Sequence, residues 1–417
     1  MKNIDTYRRL EGRRQRRLRS RNVAVAVAGL TLAIWIGEGW AQGWAQGRPP
    51  ELENSPLAPH AGRLTVTPPD EIPLDRIQVP PGFKVELWAH GMPGARMMAR
   101  GDKGTIFVGT RHIGRVYAVT DTGSARTTRI ITEGHTQPNG VAFRDGSLYV
   151  AAINKMMRFD GIEDKLENVP APEDLTKGFG LPSDGHHGWK FLAFGPDGKL
   201  YVPVGAPCNR CEIHPDIHGN IRRYNPDGTG MEIVARGVRN SVGFDFHPNT
   251  GELWFTDNDP DWLSEHGPQC ELNRVSQQGE NFGFPRCHGH GVIDPEFGRP
   301  GSCDGITLPA GLMGPHTAPL GMRFYTGNMF PEEYRGAMFI ARRGSWNRTT
   351  NLGFDVVLGQ LSADGKRAAI SPFMTGFLDT AKNTFWGRPV DVLVMPDGAL
   401  LVSDDHNGAI YRITYEG

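Results

Sequence analysis

The sequence predicts an all-β fold, a six-bladed β-propeller with four-stranded antiparallel blades and long inter-blade loops. A strand–turn–strand unit recurs six times, several copies continue into a third strand, and no convincing long amphipathic helix follows the N-terminal segment. One small sheet cannot bury both of its faces, whereas six sheets stacked around an axis can. A pair of β-sandwiches is the competing fold, but it predicts no fixed strand–turn–strand unit.

The first 45 residues are predicted to be an export signal. Eight arginines lie within residues 8–21, a 14-residue apolar run occupies residues 23–36, and small residues flank Trp40 and Trp44. This is the order of regions in a secretory signal, and the run is shorter than the about 20 residues of a transmembrane helix. An uncleaved membrane anchor is the alternative. We expect a periplasmic or secreted protein whose only membrane contact would be this segment.

The rest of the chain divides into a linker and one large domain. Residues 46–82 contain nine prolines and are predicted to form an N-terminal extension. Residues 83–417 then form the propeller. Without residues 1–45 the chain has 36 Lys and Arg against 43 Asp and Glu, a formal net charge of −7. Such an acidic body argues against nucleic acid and anionic membrane surfaces as partners.

Each repeat places a glycine-containing turn between two β-rich segments. Asp-Gly at such a turn is a strong hairpin signal because glycine adopts the positive φ that the turn requires. The copies occupy residues 101–110, 143–152, 195–204, 247–256, 333–342 and 395–404. A third strand is predicted at residues 114–119, 219–225, 271–276, 354–361 and 408–413. The longest insertion, residues 257–332, is predicted to be functional because long loops without repeat structure usually are.

The five cysteines predict disulfides rather than a metal or haem site. All five follow the predicted signal, and their odd number leaves at least one thiol unpaired within the chain. Cys208 and Cys211 have the spacing of a haem attachment motif, but Glu212 stands where histidine is required. Local disulfides or a Cys287–Cys303 disulfide are expected.

Polar residues precede the inner strand of most predicted blades, at one mouth of the channel. In chain order, the residues at these six places are Arg96, Gln137 to Asn139, His186 and His187, Arg239 and Asn240, Pro319, and Arg388. Arginine and histidine converging on one pocket indicate an anionic ligand beside an acid/base group. The alternative is that these polar side chains only contact water in the channel and bind no ligand.

Several segments match a known family. They are GLPSDGHHGWKFLAFGPDGKLYVPVG (180–205), RGVRN (236–240), ELNRV (271–275), NFGFPRCHG (281–289), GSWNR (344–348) and residues 387–413. Over about residues 75–417 the sequence resembles the glucose/sorbosone dehydrogenase family of soluble quinoproteins, and most closely its sorbosone branch. The resemblance implies a six-bladed propeller, pyrroloquinoline quinone (PQQ) at the channel mouth, and calcium that holds the quinone.

The resemblance assigns roles to residues around the quinone. His187, eight residues before Gly195, is the implied base, with His186 as the fallback. A neutral imidazole suits removal of a hydroxyl proton near pH 7. Arg239 and Asn240 match the family's Arg-Asn pair, which polarises a quinone oxygen and hydrogen-bonds the ring.

Three further residues are implied at the cofactor. Arg388 matches an arginine that clamps a quinone carboxylate, and Asp405 falls at a carboxylate near the quinone. Arg342 falls where better-known sugar dehydrogenases have lysine.

The backbone carbonyls of Asp259 and Pro260 are implied calcium ligands. The residues themselves support a cation here, because Asp257, Asp261, Glu265 and Glu271 accompany Asp259. A solvated acidic loop is the alternative.

The sequence departs from the family at three positions. Ala206 stands where the better-known branch has an acidic residue beside the base, so another group must orient the histidine. Val242 replaces a glutamine of the glucose-oxidising branch, which argues against glucose itself. Cys270 replaces an acidic residue before Glu271, which argues against a second calcium site.

The predicted function is oxidation of a sugar, a sugar aldehyde such as sorbosone, or a polyol by hydride transfer to PQQ. Because the sequence has no haem motif, the electrons must pass to an external acceptor. A calcium-dependent lactonase and a non-catalytic binding propeller are the alternatives.

Overall fold

All six predicted turns join the first two strands of an antiparallel sheet in the computed structural model, which describes residues 65–417. The six sheets form the blades of a β-propeller, so the predicted fold class is confirmed. The predicted export signal and the first part of the predicted linker, up to residue 64, lie outside the described residues.

Each blade runs from an inner strand to an outer strand. Strand β1 (Phe83–Ala89) belongs to the last blade. Blade 1 contains β2 (Ala95–Arg100), β3 (Ile106–Thr110), β4 (Val116–Asp121) and β5 (Arg126–Thr132). Blade 2 contains β6 (Gly140–Arg144), β7 (Ser147–Ala152), β8 (Lys155–Asp160) and β9 (Glu173–Asp174). Blade 3 contains β10 (Ala193–Phe194), β11 (Leu200–Val204), β12 (Asn220–Tyr224) and β13 (Glu232–Arg236).

The second half of the ring has longer connections. Blade 4 contains β14 (Phe244–Phe246), β15 (Leu253–Asp257) and β16 (Glu271–Arg274). The insertion that follows contributes β17 (Glu280–Asn281), β18 (Cys287–His288), β19 (Val292–Ile293) and β20 (Gly311–Leu312). Of these, β17 extends blade 3 in parallel to β13, β18 pairs with β19, and β20 completes blade 4.

Blades 5 and 6 complete the ring. Blade 5 contains β21 (Pro319–Phe324), β22 (Met338–Arg342), β23 (Asp355–Leu361) and β24 (Ala368–Met374). A hairpin of β25 (Leu378–Asp379) and β26 (Thr384–Phe385) precedes β27 (Pro389–Val394), β28 (Leu400–Asp404) and β29 (Ala409–Tyr415) of blade 6. The described helices are single turns at Pro69–Glu71, Leu74–Arg76, Ile162–Asp164, Thr176–Phe179 and Glu332–Tyr334.

Side chains tie neighbouring inner strands together. Asp245 of β14 accepts a hydrogen bond from the backbone N–H of Phe324 in β21 at 2.8 Å. Asp391 of β27 accepts one from the backbone N–H of Met98 in β2, also at 2.8 Å. Inner strands of different blades are not hydrogen-bonded to each other through their backbones. These carboxylates therefore accept from backbone N–H groups for which the sheet provides no acceptor.

The ring closes by pairing the two ends of the domain. Strand β1 pairs antiparallel with β29, with Phe83 opposite Tyr415, and so becomes the outer strand of blade 6. The Phe83 ring also meets Phe330 and Phe373 at centroid distances of 4.8 and 5.0 Å. An aromatic cluster therefore joins the closing strand to blade 5.

The cysteines form two disulfides, Cys208–Cys211 and Cys287–Cys303, which confirms the expectation of local and Cys287–Cys303 bonds. Cys270 is a buried free thiol. Within residues 65–417 no helix combines the length and the apolar character needed to span a membrane.

Phe83→Ala should lower the free energy of unfolding by about 3–5 kcal/mol, because it empties the aromatic cluster at the closing strand. The measurement is chemical denaturation beside Leu308→Ala, which truncates a side chain that is 53% exposed and should change stability by less than about 0.5 kcal/mol. Equal stability of the two variants would contradict a role for Phe83 in closure.

Candidate active site

The predicted base, His187, is buried at the mouth of blade 3. Its Nδ1 lies 3.0 Å from the backbone carbonyl oxygen of Ala206. A carbonyl only accepts, so Nδ1 carries the proton and Nε2 keeps its lone pair. Ala206 therefore orients the histidine through its backbone, although its side chain lacks the carboxylate of the better-known branch.

The surroundings keep His187 neutral. Burial, with smaller contributions from His186 and Arg239, holds the pKa of His187 well below its usual value. The ring centroids of His186 and His187 are 4.0 Å apart. His187 also has a φ of 48°, a left-handed conformation that is uncommon for a residue other than glycine. Such strain is typical of functional sites.

Arg239 is fixed by hydrogen bonds on several sides. Its Nε donates to the backbone carbonyl of Asn209 at 2.8 Å, and its Nη1 donates to the carbonyl of Asn258 at 2.7 Å. Its Nη2 donates to Asn209 Oδ1 at 2.7 Å and to Asp261 Oδ2 at 3.1 Å. Four of the five guanidinium N–H groups are thus engaged, which leaves one Nη1 hydrogen for a ligand.

Asn240 and Arg239 share a buried acceptor through their backbones. Asp257 Oδ2 accepts from the Arg239 N–H at 2.8 Å, and Asp257 Oδ1 accepts from the Asn240 N–H at 2.6 Å. The carboxylate at the end of β15 therefore shapes the turn that presents both predicted site residues.

Arg388 and Asp405 lie in a second cluster, at the mouth of blades 5, 6 and 1. Asp405 Oδ2 accepts from Arg96 Nη1 and from Arg343 Nε, both at 2.7 Å. Arg388 donates from Nε to the Arg343 carbonyl at 3.1 Å and from Nη2 to the Gly344 carbonyl at 2.8 Å. Although burial raises it, the charges of Arg343 and Arg96 hold the pKa of Asp405 below its usual value.

This cluster leaves polar atoms without partners. Arg388 Nη1 and Asp405 Oδ1 are buried and have no hydrogen-bond partner among the described residues. Burial first, and then the charge of Arg343, keep the pKa of Arg388 well below its usual value. A buried guanidinium with an unused donor is suited to bind an anionic ligand.

A cavity opens beside the second cluster. It is lined by Gly94, Arg96, Arg111, His112, Ile113, Arg343 and Asp405. The Arg111 guanidinium lies 3.5 Å from the centroid of the Trp189 ring, and that ring is 5.8 Å from the His187 ring. Arg111 of the cavity is thus linked to the base through Trp189. The structure brings His187 together with Arg239, and Arg388 together with Asp405, which lines the cavity.

Arg342 has a different environment from its neighbour Arg343. Its Nε and Nη2 donate to Asp355 at 2.8 and 2.5 Å, and its Nη1 donates to the Met313 carbonyl at 2.9 Å. It is not among the residues that line the cavity, whereas Arg343 is.

Sequence reasoning missed Arg343, Arg111 and His112. The adjacent arginines at the end of β22 were a signal, because consecutive residues there point to opposite sides.

Asp259 lies in a buried acidic cluster with Asp257 and Glu271. Asp259 Oδ2 has no hydrogen-bond partner among the described residues. Burial, followed by the charges of Glu271 and Asp257, raises the pKa of Asp259 well above its usual value. Burial and Asp257 raise the pKa of Glu271 to about 8.

An uncompensated set of buried carboxylates is suited to bind a cation. In the described part of the chain no three His, Cys, Asp or Glu side chains are arranged to hold a metal ion by themselves. Backbone oxygens, such as the predicted carbonyls of Asp259 and Pro260, would have to complete the ligand set.

Comparisons with known proteins agree with this architecture. The profile of the family described as Glucose / Sorbosone dehydrogenase matches residues 175–412. A protein of Borreliella burgdorferi, described as uncharacterized, is 33% identical over 351 residues, which cover 82% of this chain and 91% of that protein. A PQQ-dependent pyranose dehydrogenase of Coprinopsis cinerea is 34% identical over 122 residues, which cover 25% of this chain and 16% of that enzyme.

Solved structures share the fold at low sequence identity. A calcium structure of a Trichoderma reesei family AA12 enzyme has a TM-score of 0.69 and 18% identity, with 85% of this chain and 99% of that chain covered. The holo PQQ domain of the Coprinopsis cinerea pyranose dehydrogenase has a TM-score of 0.67 and 20% identity, with 81% and 97% covered.

Comparison of Arg343→Ala with Arg342→Ala tests which arginine contacts the implied quinone. Arg343→Ala should weaken PQQ binding by about tenfold or more, since a charge-assisted hydrogen bond contributes about 1.5–3 kcal/mol. Arg342→Ala should leave binding nearly unchanged and lower stability, because Asp355 loses its partner. Both are measured by titrating the apoprotein with PQQ and by thermal unfolding. The reverse pattern would assign Arg342 to the cofactor.

Proposed function

Because this chain belongs to the glucose/sorbosone dehydrogenase family, we propose that it is a PQQ-dependent oxidoreductase that oxidises a sugar, a sugar aldehyde or a polyol. The observation that carries this proposal is a cavity lined by three arginines, of which Arg111 stacks on the Trp189 ring beside a neutral histidine with an unprotonated Nε2. An anionic redox group and a proton acceptor are the two components that such a reaction needs.

The residues of the cavity fit a planar polycarboxylate. Arg96, Arg111 and Arg343 line the cavity and outnumber the carboxylate of Asp405. Beside them, Arg388 Nη1 has no protein partner among the described residues. Arginine forms planar, paired hydrogen bonds to carboxylates. We infer that Arg388 and Arg343 hold carboxylates of PQQ, with Arg96 and Asp405 fixing the position of Arg343.

His187 is proposed to act as the base. PQQ, when bound, supplies the acceptor for the hydride. The Nε2 of His187 removes the proton of the substrate hydroxyl, and the Nδ1–H bond to Ala206 keeps this tautomer in place. The remaining Nη1 hydrogen of Arg239 is available to stabilise negative charge that develops beside the base.

The proposed substrates carry a hydroxyl on the carbon that loses hydride. Sugars and polyols meet this requirement directly, and a sorbosone-like aldehyde meets it as its hydrate. Val242 is buried and apolar, which supports a pocket that differs from that of glucose-oxidising relatives. Cys208 and Cys211 are joined to each other, which supports an external electron acceptor rather than an attached haem. Two disulfides support a periplasmic or secreted location.

Calcium is proposed as the second cofactor. The orphaned Asp259 carboxylate and the raised pKa values of Asp259 and Glu271 fit a site that lacks a cation's charge. Asp259 and Pro260 would supply oxygen ligands, and the bound cation would offset the repulsion among these acids.

Reconstitution tests the proposed activity. The purified protein is mixed with calcium and PQQ, and dye reduction is followed over aldoses, sorbosone and polyols. Sugar-dependent reduction is expected. Quinone binding without turnover of any substrate would favour a binding propeller, and hydrolysis of a lactone without quinone would favour the lactonase alternative.

His187→Ala should lower kcat by about 10²–10⁴-fold, the usual contribution of a general base. PQQ affinity should change little, because the arginine cluster stays intact. His186→Ala is the matched control and should retain most of the turnover. Full activity in His187→Ala, or a larger loss in His186→Ala, would refute the assignment of the base.

Asp259→Asn should raise the melting temperature in calcium-free buffer at neutral pH, because it removes a buried carboxyl group whose raised pKa costs stability at pH values above its usual pKa. In the parent protein, calcium at 100 times its dissociation constant should add about 2.7 kcal/mol of stability, and the variant should lose most of this increment. Asp304→Asn, at an exposed aspartate of the same insertion, is the control and should keep it. An unchanged calcium response in Asp259→Asn would argue against the site.

A further inference from the structure

We propose that Asn209 is a positioning residue for Arg239, and that the Cys208–Cys211 disulfide keeps Asn209 in place. This inference rests on the proposed function, in which the Arg239 guanidinium acts beside the base. It adds a residue and a disulfide that lie on a loop between β11 and β12 of blade 3.

Asn209 contacts Arg239 twice, once through its backbone and once through its side chain. The Arg239 Nε–H donates to the Asn209 carbonyl at 2.8 Å, and an Nη2 hydrogen donates to Asn209 Oδ1 at 2.7 Å. A single residue thereby fixes both the direction and the rotation of the guanidinium plane. Asn209 is 1% exposed, so water does not compete for these acceptors.

Asn209 is itself fixed by a reciprocal pair of hydrogen bonds with Asp261. The Asp261 backbone N–H donates to Asn209 Oδ1 at 2.9 Å, and Asn209 Nδ2 donates to the Asp261 carbonyl at 3.0 Å. The side-chain amide of Asn209 therefore both accepts from and donates to the backbone of Asp261, as a residue of a neighbouring β-strand does. Asn209 belongs to a loop of blade 3 and Asp261 to a loop of blade 4, so this pair of hydrogen bonds joins the two blades at the mouth.

Asp261 is held from its other side. Its Oδ1 accepts from Asn347 Nδ2 at 2.6 Å, and the same Nδ2 donates to His316 Nδ1 at 3.1 Å. His316 Nε2 lies 2.6 Å from the Ser264 carbonyl, so Nε2 carries the proton and Nδ1 accepts. Because these bonds hold Asp261 Oδ1, the other carboxylate oxygen, Oδ2, is free to accept from Arg239.

The disulfide constrains the short loop that carries Asn209. Cys208 and Cys211 are three positions apart, so their bond closes a ring around Asn209 and Arg210. Arg210 faces a different partner and donates to both oxygens of the buried Asp294 at 3.1 and 3.2 Å. With its ends joined and its two central side chains anchored apart, the loop has few alternative conformations.

The proposal predicts a specific kinetic change in Asn209→Ala. Misplacement of a catalytic group by about 1 Å can cost about 10²-fold in rate, so kcat should fall by about tenfold to a hundredfold. The KM for the sugar should stay within about twofold, because Arg239 acts on charge that develops during the reaction.

Asn220→Ala is the matched control. Asn220 is also fully buried, and its Nδ2 donates to the carbonyls of Pro215 and His218 at 2.9 and 3.2 Å. It braces the same connection between β11 and β12 without contacting Arg239. Its truncation should lower stability while leaving kcat near the parent value. An equal loss of kcat in both asparagine variants would reduce Asn209 to a structural role and overturn the proposal.

A double-mutant cycle with Arg239→Lys tests whether Asn209 acts through Arg239. If it does, Asn209→Ala should lower kcat little further in the Arg239→Lys background. Multiplicative effects of the two substitutions would overturn the proposal.

Arginine side-chain NMR of the apoprotein tests positioning without any cofactor or turnover. The Nη resonances of Arg239 are identified by their loss in Arg239→Lys. The Nη2 hydrogen that donates to Asn209 Oδ1 should be protected from exchange in the parent protein and should exchange faster in Asn209→Ala. An unchanged resonance in Asn209→Ala overturns the proposal even if the enzyme is active. If the Arg239 resonance changes as expected but the protein reconstituted with PQQ and calcium oxidises no sugar, the positioning role is supported and the proposed function is rejected.

Removal of the disulfide tests its part of the proposal. Cys208→Ser with Cys211→Ser should lower kcat in the same direction as Asn209→Ala and expose the same Arg239 resonance. The control pair, Cys287→Ser with Cys303→Ser, removes the other disulfide and, at saturating calcium, should leave both readouts unchanged. Unchanged kcat and resonance in the first pair would show that the loop holds Asn209 without the disulfide.

Discussion

The burial of several guanidinium groups at one end of the channel is the constraint on which the rest of the site depends. A buried cation is stable only where acceptors replace its lost water. Here those acceptors are backbone carbonyls and a few carboxylates from neighbouring blades, as when Arg388 binds the carbonyls of Arg343 and Gly344. Arg96, Arg343 and Arg388 each bind groups from another blade, so these arginines gain their acceptors only when the ring assembles.

The repeat architecture could be predicted because its signals are local. Each glycine turn and the two strands beside it lie within about ten residues, and all six copies form the inner hairpin of a blade. Third strands at residues 271–276 and 408–413 likewise correspond to β16 and β29. The rule that inner strands begin at one mouth predicted a shared location for His187, Arg239 and Arg388, whereas Asp405 came only from the family resemblance. Their chemical roles are still predictions.

Other parts of the site carry no sequence signal of this kind. The group that orients His187 is a backbone carbonyl, which every residue has, so the alanine at position 206 concealed it. The choice between Arg342 and Arg343 depends on where β22 ends, and strand ends are poorly defined by pattern. Asn209 lies in the four-residue segment closed by the Cys208–Cys211 disulfide, and its position also depends on contacts from blade 4. Such features depend on residues distant in sequence.

The pairing of β1 with β29 has a consequence for biosynthesis. Among the strands of the described residues, β1 is made first and its partner β29 is made last, so the ring cannot close until residues 409–415 have left the ribosome. A nascent or prematurely terminated chain that lacks residues 409–415 leaves two unpaired edges, at β28 and at β1, each open to association with another chain. Until the seven-residue strand β29 is in place, association of these edges with another chain competes with closure of the ring.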